Sequence, residues 1–418
     1  MNRILHIIIL ALASFSILNA QDSLTVVQLE SITYAFDVKD GKLTGKGKAF
    51  LEQELAQAQF TMIGEYHGSK RISEFTNAII PVLDKHNYKT MALEVGPVVG
   101  GILNSFKDNV AADLKSIHNK YYTKETDGTI YTSFPFFDTE EDAEFLQTAK
   151  DNSWNVFGID QEYYDSYVML ADKMYNNLSK QAQNAHNELY MKTVSKLKKF
   201  YEDDSNDRKN LHLALSGSQL YTKFISIMAT EAKNLEIIEA LAKSSDIYML
   251  NEQKKWYENN ATRIRYMKSR LNAGLARLNF NVTTDKLLIK MGGYHLSKGF
   301  SPLGLYEVGN TLNELAEYNG NTALNIGFIS RYTKDKDTVV DNYKSKNTYY
   351  KNHKQFLQMG KKDEWVVIDL RRLIKEYFYY PKKFSLNKQM VDLVQRYDLL
   401  IIPKMEVAGT PNFDLNSN

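Results

Sequence analysis

The chain contains no cysteine. That excludes disulfides, thiolate-bound metals, a cysteine nucleophile and a lipid anchor attached through cysteine. It also lacks an excess of either charge: 52 Lys and Arg stand against 50 Asp and Glu, a net charge of +2. A dedicated nucleic-acid binder would show a basic excess or stripe, so that class is set aside. No internal repeat or low-complexity stretch interrupts the 418 residues. Beyond the N-terminal segment, no run is continuously apolar enough to cross a bilayer. No Gly-x-Ser-x-Gly elbow follows a strand-like run, and there is no His-Glu-x-x-His helix. What is present is ordinary for a globular protein, with 43% hydrophobic and 24% charged residues. The length suits one large elaborated domain or two ordinary ones.

Residues 1–20 read as an export signal. Arg3 gives a short positive start, and an apolar run from Ile4 to Leu18 is interrupted only by His6, Ser14 and Ser16. Ala20 offers a small residue at the cleavage point. An exported chain without cysteines reads as bacterial, and periplasmic or secreted. No stable membrane insertion is expected after signal cleavage.

The remainder has a rhythm. Residues 21–59 read as a leader of short extended pieces closed by Asp40-Gly41, then a helix over Lys46–Gln59. Strand-like runs follow at Phe60–Gly64, Lys89–Val95 and Trp154–Ile159, separated by helical periodicity at Ile72–His86, Val98–His118 and Ala143–Lys150. This alternation predicts βαβ units, with residues 60–162 as the first half of an α/β core. Residues 163–280 contain no proline and only two glycines, Gly217 and Gly274, which predicts a large helical insertion. The second half of the core spans 281–418, with strands at Lys286–Met291, Thr322–Ser330, Glu364–Leu370 and Leu399–Pro403. The polar stretch Lys334–Lys362 reads as a surface excursion. The fold class is thus α/β, with a mostly parallel central sheet, flanking helices and a helical insertion.

Chemistry-bearing residues gather where strands end. In open parallel sheets ligands bind outside the carboxyl ends of the strands. The first run leads into Gly64-Glu65-Tyr66-His67-Gly68. Residues two apart on an extended backbone point the same way, so Glu65 and His67 converge and Tyr66 faces elsewhere. The second run ends in Glu94, the third in Asp160 followed by Glu162, and the fourth in Gly292-Gly293-Tyr294-His295. The chain has only eight histidines, and two of them sit at strand ends beside glycine. Four strand ends therefore deliver Glu, His, Glu, Asp and His to one rim, the arrangement of a functional cleft.

These residues resemble the erythromycin esterase family. Ile63–Gly68, the helix after it, and Ala92-Leu93-Glu94 are similar to the family's Gly-Glu-x-(Thr)-His-Gly element, helix and Glu-bearing strand. Val156–Asp160, Arg265-Tyr266-Met267 with Leu287–His295, and Leu399–Pro403 resemble its later elements. The resemblance implies a hydrolase cleft in which His67 is the general base activating water. Glu65 and Glu94 would orient it, and His295 would assist the leaving group or the oxyanion. Asp160, Arg71 and Arg265 become candidates for binding a small-molecule substrate. The chain departs from the family pattern in two places. Lys70-Arg71 and a displaced Glu74 stand where an Arg-Glu is usual, and the late loop carries one histidine. The macrolide substrate is therefore not carried over.

Histidine suits hydrolysis of an ester or lactone because its unperturbed pKa is about 6.5. No cofactor is needed for that route. A divalent metal held by His67, Glu65, Glu94 and His295 is the alternative, giving a metal-dependent hydrolase or peptidase similar to the Tiki-type metalloproteases. A haem- or small-molecule-binding protein without turnover is a further alternative, by similarity to haem-binding lipoproteins. Among the aromatic residues, Phe134-Pro135-Phe136-Phe137 is placed near the cleft, after a Gly/Thr-rich loop that could act as a lid. The Tyr-Tyr pairs, including Tyr349-Tyr350, could line a pocket for a bulky substrate.

Overall fold

The apolar runs become the strands β1 (Thr33–Lys39), β2 (Lys42–Thr44), β3 (Phe60–Glu65), β4 (Tyr88–Leu93), β5 (Thr123–Lys124), β6 (Ile130–Tyr131), β7 (Asn155–Gly158), β8 (Lys286–Gly292), β9 (Ala323–Phe328), β10 (Tyr332–Asp335), β11 (Thr338–Asp341), β12 (Trp365–Asp369) and β13 (Leu399–Ile402). A computed structural model describes residues 24–124, 130–202, 210–380 and 386–414. The export segment read at residues 1–20 lies outside these, as does most of the glycine-bearing stretch of the expected lid.

Nine strands form one sheet in the order β2-β1-β12-β13-β9-β3-β8-β4-β7. From β13 through β9, β3, β8 and β4 to β7 every pairing is parallel. The β13–β12, β12–β1 and β1–β2 pairs are antiparallel and close one side. The sheet is therefore mixed and mostly parallel. All six residues of β3 are buried, the pattern of a parallel strand covered on both faces. Alternate residues feed different layers. Ile63 packs in a cluster with Phe75 and Ile79 of the helix Lys70–Asp84. Phe60 and Met62 pack with Met267 and Leu271 of the helix Trp256–Arg277 on the other face.

Helices from Tyr167 to Arg277 make the large helical insertion. Its last helix, Trp256–Arg277, returns to the sheet and brings its N-terminal half toward the rim. Leu215–Ser218 is a junction in which Gly217 ends one helix and Ser218 caps the next. Two expectations change and one is sharpened. The helix expected over Val98–His118 is two, Pro97–Ser105 and Val110–Tyr121, because Asn109 caps the second by accepting from Ala112 N at 3.0 Å. The short extended pieces read in the leader are strands, and residues 33–44 are joined to the main sheet as its β1–β2 edge. Lys334–Lys362 carries the β10–β11 hairpin and short helices, and buries His353, Phe356 and Leu357. Among the described residues no helix is long and apolar enough to cross a membrane.

One buried histidine supports the loop that closes the rim. His118 Nε2 donates to Phe137 O at 2.9 Å, while Nδ1 is buried without a partner. Burial, only partly offset by that hydrogen bond, pushes its pKa down to about 4. The neutral ring therefore stabilises the fold fully above the unfolded value of about 6.5, and that contribution is lost as pH falls toward 4. The fold should lose roughly 2 kcal/mol between pH 7 and pH 5 from this residue alone. Thermal unfolding of wild type and His118→Gln across that range checks it: the variant should show a visibly flatter decline.

Candidate functional site

The site grows from the carboxyl ends of β3, β8, β4 and β7, four consecutive strands of the sheet. With neighbouring strands roughly 5 Å apart, side chains from all four ends reach one another. Glu65 ends β3. Its Oε1 lies 3.3 Å from Nδ1 of His67, and its Oε2 accepts from the ammonium of Lys290 on β8. Burial alone would raise the Glu65 pKa. The Lys290 charge, followed by the His67 contact, overcomes it and holds the group at about 2. Lys290 is itself only 3% exposed. Its ammonium lies 5.1 Å from the ring of Phe145. On its other side the charge is felt by buried Asp142, which accepts from Ser73 at 2.6 Å and Thr139 at 2.5 Å. Burial pushes Asp142 up to about 6 despite those partners.

His67 sits just past the strand, where Gly68 turns the chain at φ +76°, a conformation that residues with a Cβ avoid. Its imidazole stacks on Phe136, with centroids 3.6 Å apart and planes 14° from parallel. Phe136 itself has φ +64°, so the loop holds an aromatic residue in a strained backbone to make that contact. Burial lowers the His67 pKa, but the hydrogen bond and charge of Glu65 and the charge of Glu94 outweigh it, and the net shift is upward. Nε2 of His67 is 4.0 Å from Oε2 of Glu94.

Glu94 follows β4 and is only 5% exposed. Its Oε2 accepts from the backbone N–H of Gly292, and its Oε1 accepts from Arg263 Nη2 at 3.0 Å. His295 Nε2 stands 3.5 Å from Oε1. A Cβ on Gly292 would lie 3.2 Å from Glu94 Oε2 and 3.5 Å from His67 Nε2, so glycine there lets β8 approach both side chains. Arg263 also grips Asp160 with Nε, at 3.0 Å, and with Nη2, a bidentate pair. His295 Nδ1 contacts fully buried Glu307 at 3.0 Å, and Glu307 accepts from Ser301 at 2.8 Å. His295 thus stands between two carboxylates.

Glu65, His67, Glu94, Arg263 and His295 border a cavity of about 720 Å³, with Asp160 and Lys290 behind them. The structure brings together Glu65, His67, Glu94, His295 and Asp160. It does not bring Arg71 or Arg265 to them. Arg71 pairs with Glu74 at 2.7 Å and donates to Met405 O at 3.0 Å, holding the C-terminal tail. Arg265 is exposed, with a contact to Thr262 on its own helix. Residues two apart on a helix are about 200° apart, so the face that carries Arg263 inward turns Arg265 outward. Tyr66 points away from His67, to Ser330 and Glu406, yet still borders the cavity.

Lys290, Arg263, Glu307 and Glu406 were not anticipated. Lys290 had a signal, a charge inside the apolar run Leu287–Met291. Glu406 had none: it arrives on the tail, where Gly409 N donates to Gly68 O at 3.0 Å. The Glu65, His67 and Glu94 donor atoms all lie within 4.8 Å of one another, a spacing that could hold a metal ion.

No family model matches the chain, and no curated protein matches its sequence. Among solved structures it is similar to a succinoglycan biosynthesis protein, at 15% identity and TM-score 0.51, covering 91% of this chain and 96% of that one. A protein from Bacillus cereus matches at 13% identity and TM-score 0.50, covering 86% and 92%. A mutant erythromycin esterase in its open conformation matches at 11% identity and TM-score 0.50, covering 90% and 98%. At these identities the likeness is one of fold, and the resemblance drawn from the motifs stands at that level.

The two arginines make a direct test of the geometry. Arg263→Gln leaves two buried carboxylates without their counter-charge and should cost about 3 kcal/mol of stability. Arg265→Gln should stay within about 0.5 kcal/mol of wild type. Urea unfolding of both variants reads the difference, and equal stabilities would contradict the assignment.

Proposed function

We propose that this chain is a hydrolase that opens an ester or lactone, with water activated at the Glu65–His67–Glu94 cluster and a divalent cation assisting. The observation that carries this reading is the convergence of those three donors within 4.8 Å at one end of the cavity. The residues around them suit the task. Lys290 holds Glu65 Oε2 and Arg263 holds Glu94 Oε1, while Gly292 N–H donates to Glu94 Oε2, the oxygen that faces His67, so the acids are oriented by partners of their own. A bound cation would supply Lewis-acid activation of water near neutral pH. The cavity of about 720 Å³ suits a drug-sized substrate. The export reading of residues 1–20 would place this activity in the periplasm or outside a bacterial cell.

A second reading, without a cation, is favoured by a specific distance. The 4.0 Å gap between His67 Nε2 and Glu94 Oε2 is too long for a hydrogen bond and of a size to hold one water between them. His67 would then take the water's proton, with Glu65 fixing the ring through Nδ1 and Glu94 stabilising the imidazolium. Lys290 and Arg263 already balance the carboxylates, which this route requires and a cation does not.

Turnover of a panel of esters and lactones, followed by mass spectrometry with and without EDTA, separates the readings. His67→Ala should lower kcat by roughly 10²-fold or more on either route. Loss of activity in EDTA, restored by added zinc or manganese, is the expected result. Activity that survives EDTA in metal-free protein would move the assignment to the His67 base. Full activity of His67→Ala would remove both.

A further inference from the structure

The wall of the cavity away from the helical insertion carries a charge that the hydrolytic cluster does not use. Arg396 is the last residue of the helix Lys388–Arg396, is 9% exposed and borders the cavity. Its Nε donates to Asp392 O at 2.9 Å, a contact within its own helix. Among the described residues it forms no ion pair with any carboxylate, unlike Lys290, Arg263, Lys298 and Arg371, each of which has one. Most of the Arg396 side chain is buried, and its guanidinium borders the cavity without a counter-charge, whereas buried arginines are ordinarily paired.

The surroundings shape a receptacle instead of a partner. The guanidinium carbon lies 5.8 Å from the ring centroid of Tyr294 and 6.0 Å from that of Tyr397. Tyr349 and Tyr350, 5.5 Å apart, border the same cavity and come from the excursion that folds over it. Tyr397 donates to Gly293 O at 2.8 Å, which ties this wall to the Gly293-Tyr294-His295 loop. The loop that presents His295 to Glu94 therefore also presents Tyr294 to Arg396.

We propose that Arg396 is an anion subsite, and that the substrate carries a carboxylate or phosphate on an apolar body, bound between these tyrosines with its scissile bond toward His67. The proposal deepens the hydrolase reading and rests on it for the word substrate, while the subsite itself does not depend on turnover. Arginine matches both oxyanions bidentately, and the tyrosine rings accept the apolar part. At the opposite end Arg263 is already paired with Glu94 and Asp160, which leaves Arg396 as the charge open to an anionic ligand.

The test is direct binding to the full chain, by calorimetry at pH 7, of 4-phenylbutyrate, phenyl phosphate and neutral 4-phenylbutyramide. Wild type should bind one or both anions at least roughly tenfold more tightly than the amide. The stronger of the two identifies carboxylate or phosphate as the natural group. Arg396→Met, with its melting temperature recorded, should bring the anions down to the level of the amide, and Arg396→Lys should keep part of the preference. Equal binding of anions and amide by wild type would overturn the proposal, as would absence of binding. An anion preference that persists in folded Arg396→Met would also overturn it, by placing the anion elsewhere, including on a cation at the glutamate cluster. If Arg396→Met does not fold, the wild-type comparison and Arg396→Lys still decide. Anion binding that depends on Arg396 in a protein that turns over no ester would sink the hydrolase reading alone.

Discussion

The pairing of buried carboxylates with Lys290 and Arg263 is the interaction on which the rest of this site depends. Glu65, Glu94 and Asp160 are each at most 9% exposed, yet they crowd the ends of neighbouring strands. Left alone, carboxylates so placed would repel one another and take up protons. Lys290 pairs with Glu65 from inside the sheet, and Arg263 pairs with Glu94 and Asp160 from the helix laid across it. The consequence is visible at Glu65, held at about 2, and by contrast at Asp142, which has no ion pair among the described residues and which burial pushes up to about 6. An ionised Glu65 can then orient His67, and Glu94 faces the ring from the other side.

The order of the strands follows from the same need. β8 lies between β3 and β4 although it comes long after both in the chain. That placement puts Lys290 beside Glu65 and Gly292 beside Glu94, one residue type supplying charge and the other supplying space. The helical insertion is part of this economy. It separates β7 from β8 in sequence, and its last helix carries Arg263 back to the rim.

Much of this was legible in the chain. The β3, β4, β7 and β8 runs, the Glu-x-His at the end of the first and the acids ending the next two were readable from period and position. What was not readable depended on direction or distance. Arg265 and Arg263 lie on one helix, and no local pattern says which of them faces inward until the helix is docked. Tyr349-Tyr350 was named as a possible pocket lining and does border the cavity, but the stretch that carries it looked like a polar surface excursion, because the burial of His353, Phe356 and Leu357 comes from contacts remote in sequence. Glu406 reaches Tyr66 and Ser69 only because the tail pairs back along the His67 loop. Phe136 was placed near the cleft from composition, but its stacking on His67 requires a positive φ that composition does not encode.

The cavity is consequently polarised. One end has its acids neutralised within the protein, so that a single histidine and two oriented carboxylates remain available to water or a cation. The other end has a buried arginine whose compensation the protein does not supply. A protein selected only for stability would gain by pairing that arginine or replacing it with an apolar residue, since buried charges seldom repay their desolvation. Keeping it unpaired, framed by tyrosines and tied through Tyr397 to the loop that positions His295, is reasonable only where the missing counter-charge arrives with the molecule that fills the cavity. The two ends thus differ in kind: at one the cations Lys290 and Arg263 are already paired with carboxylates, and at the other Arg396 has no carboxylate partner among the described residues.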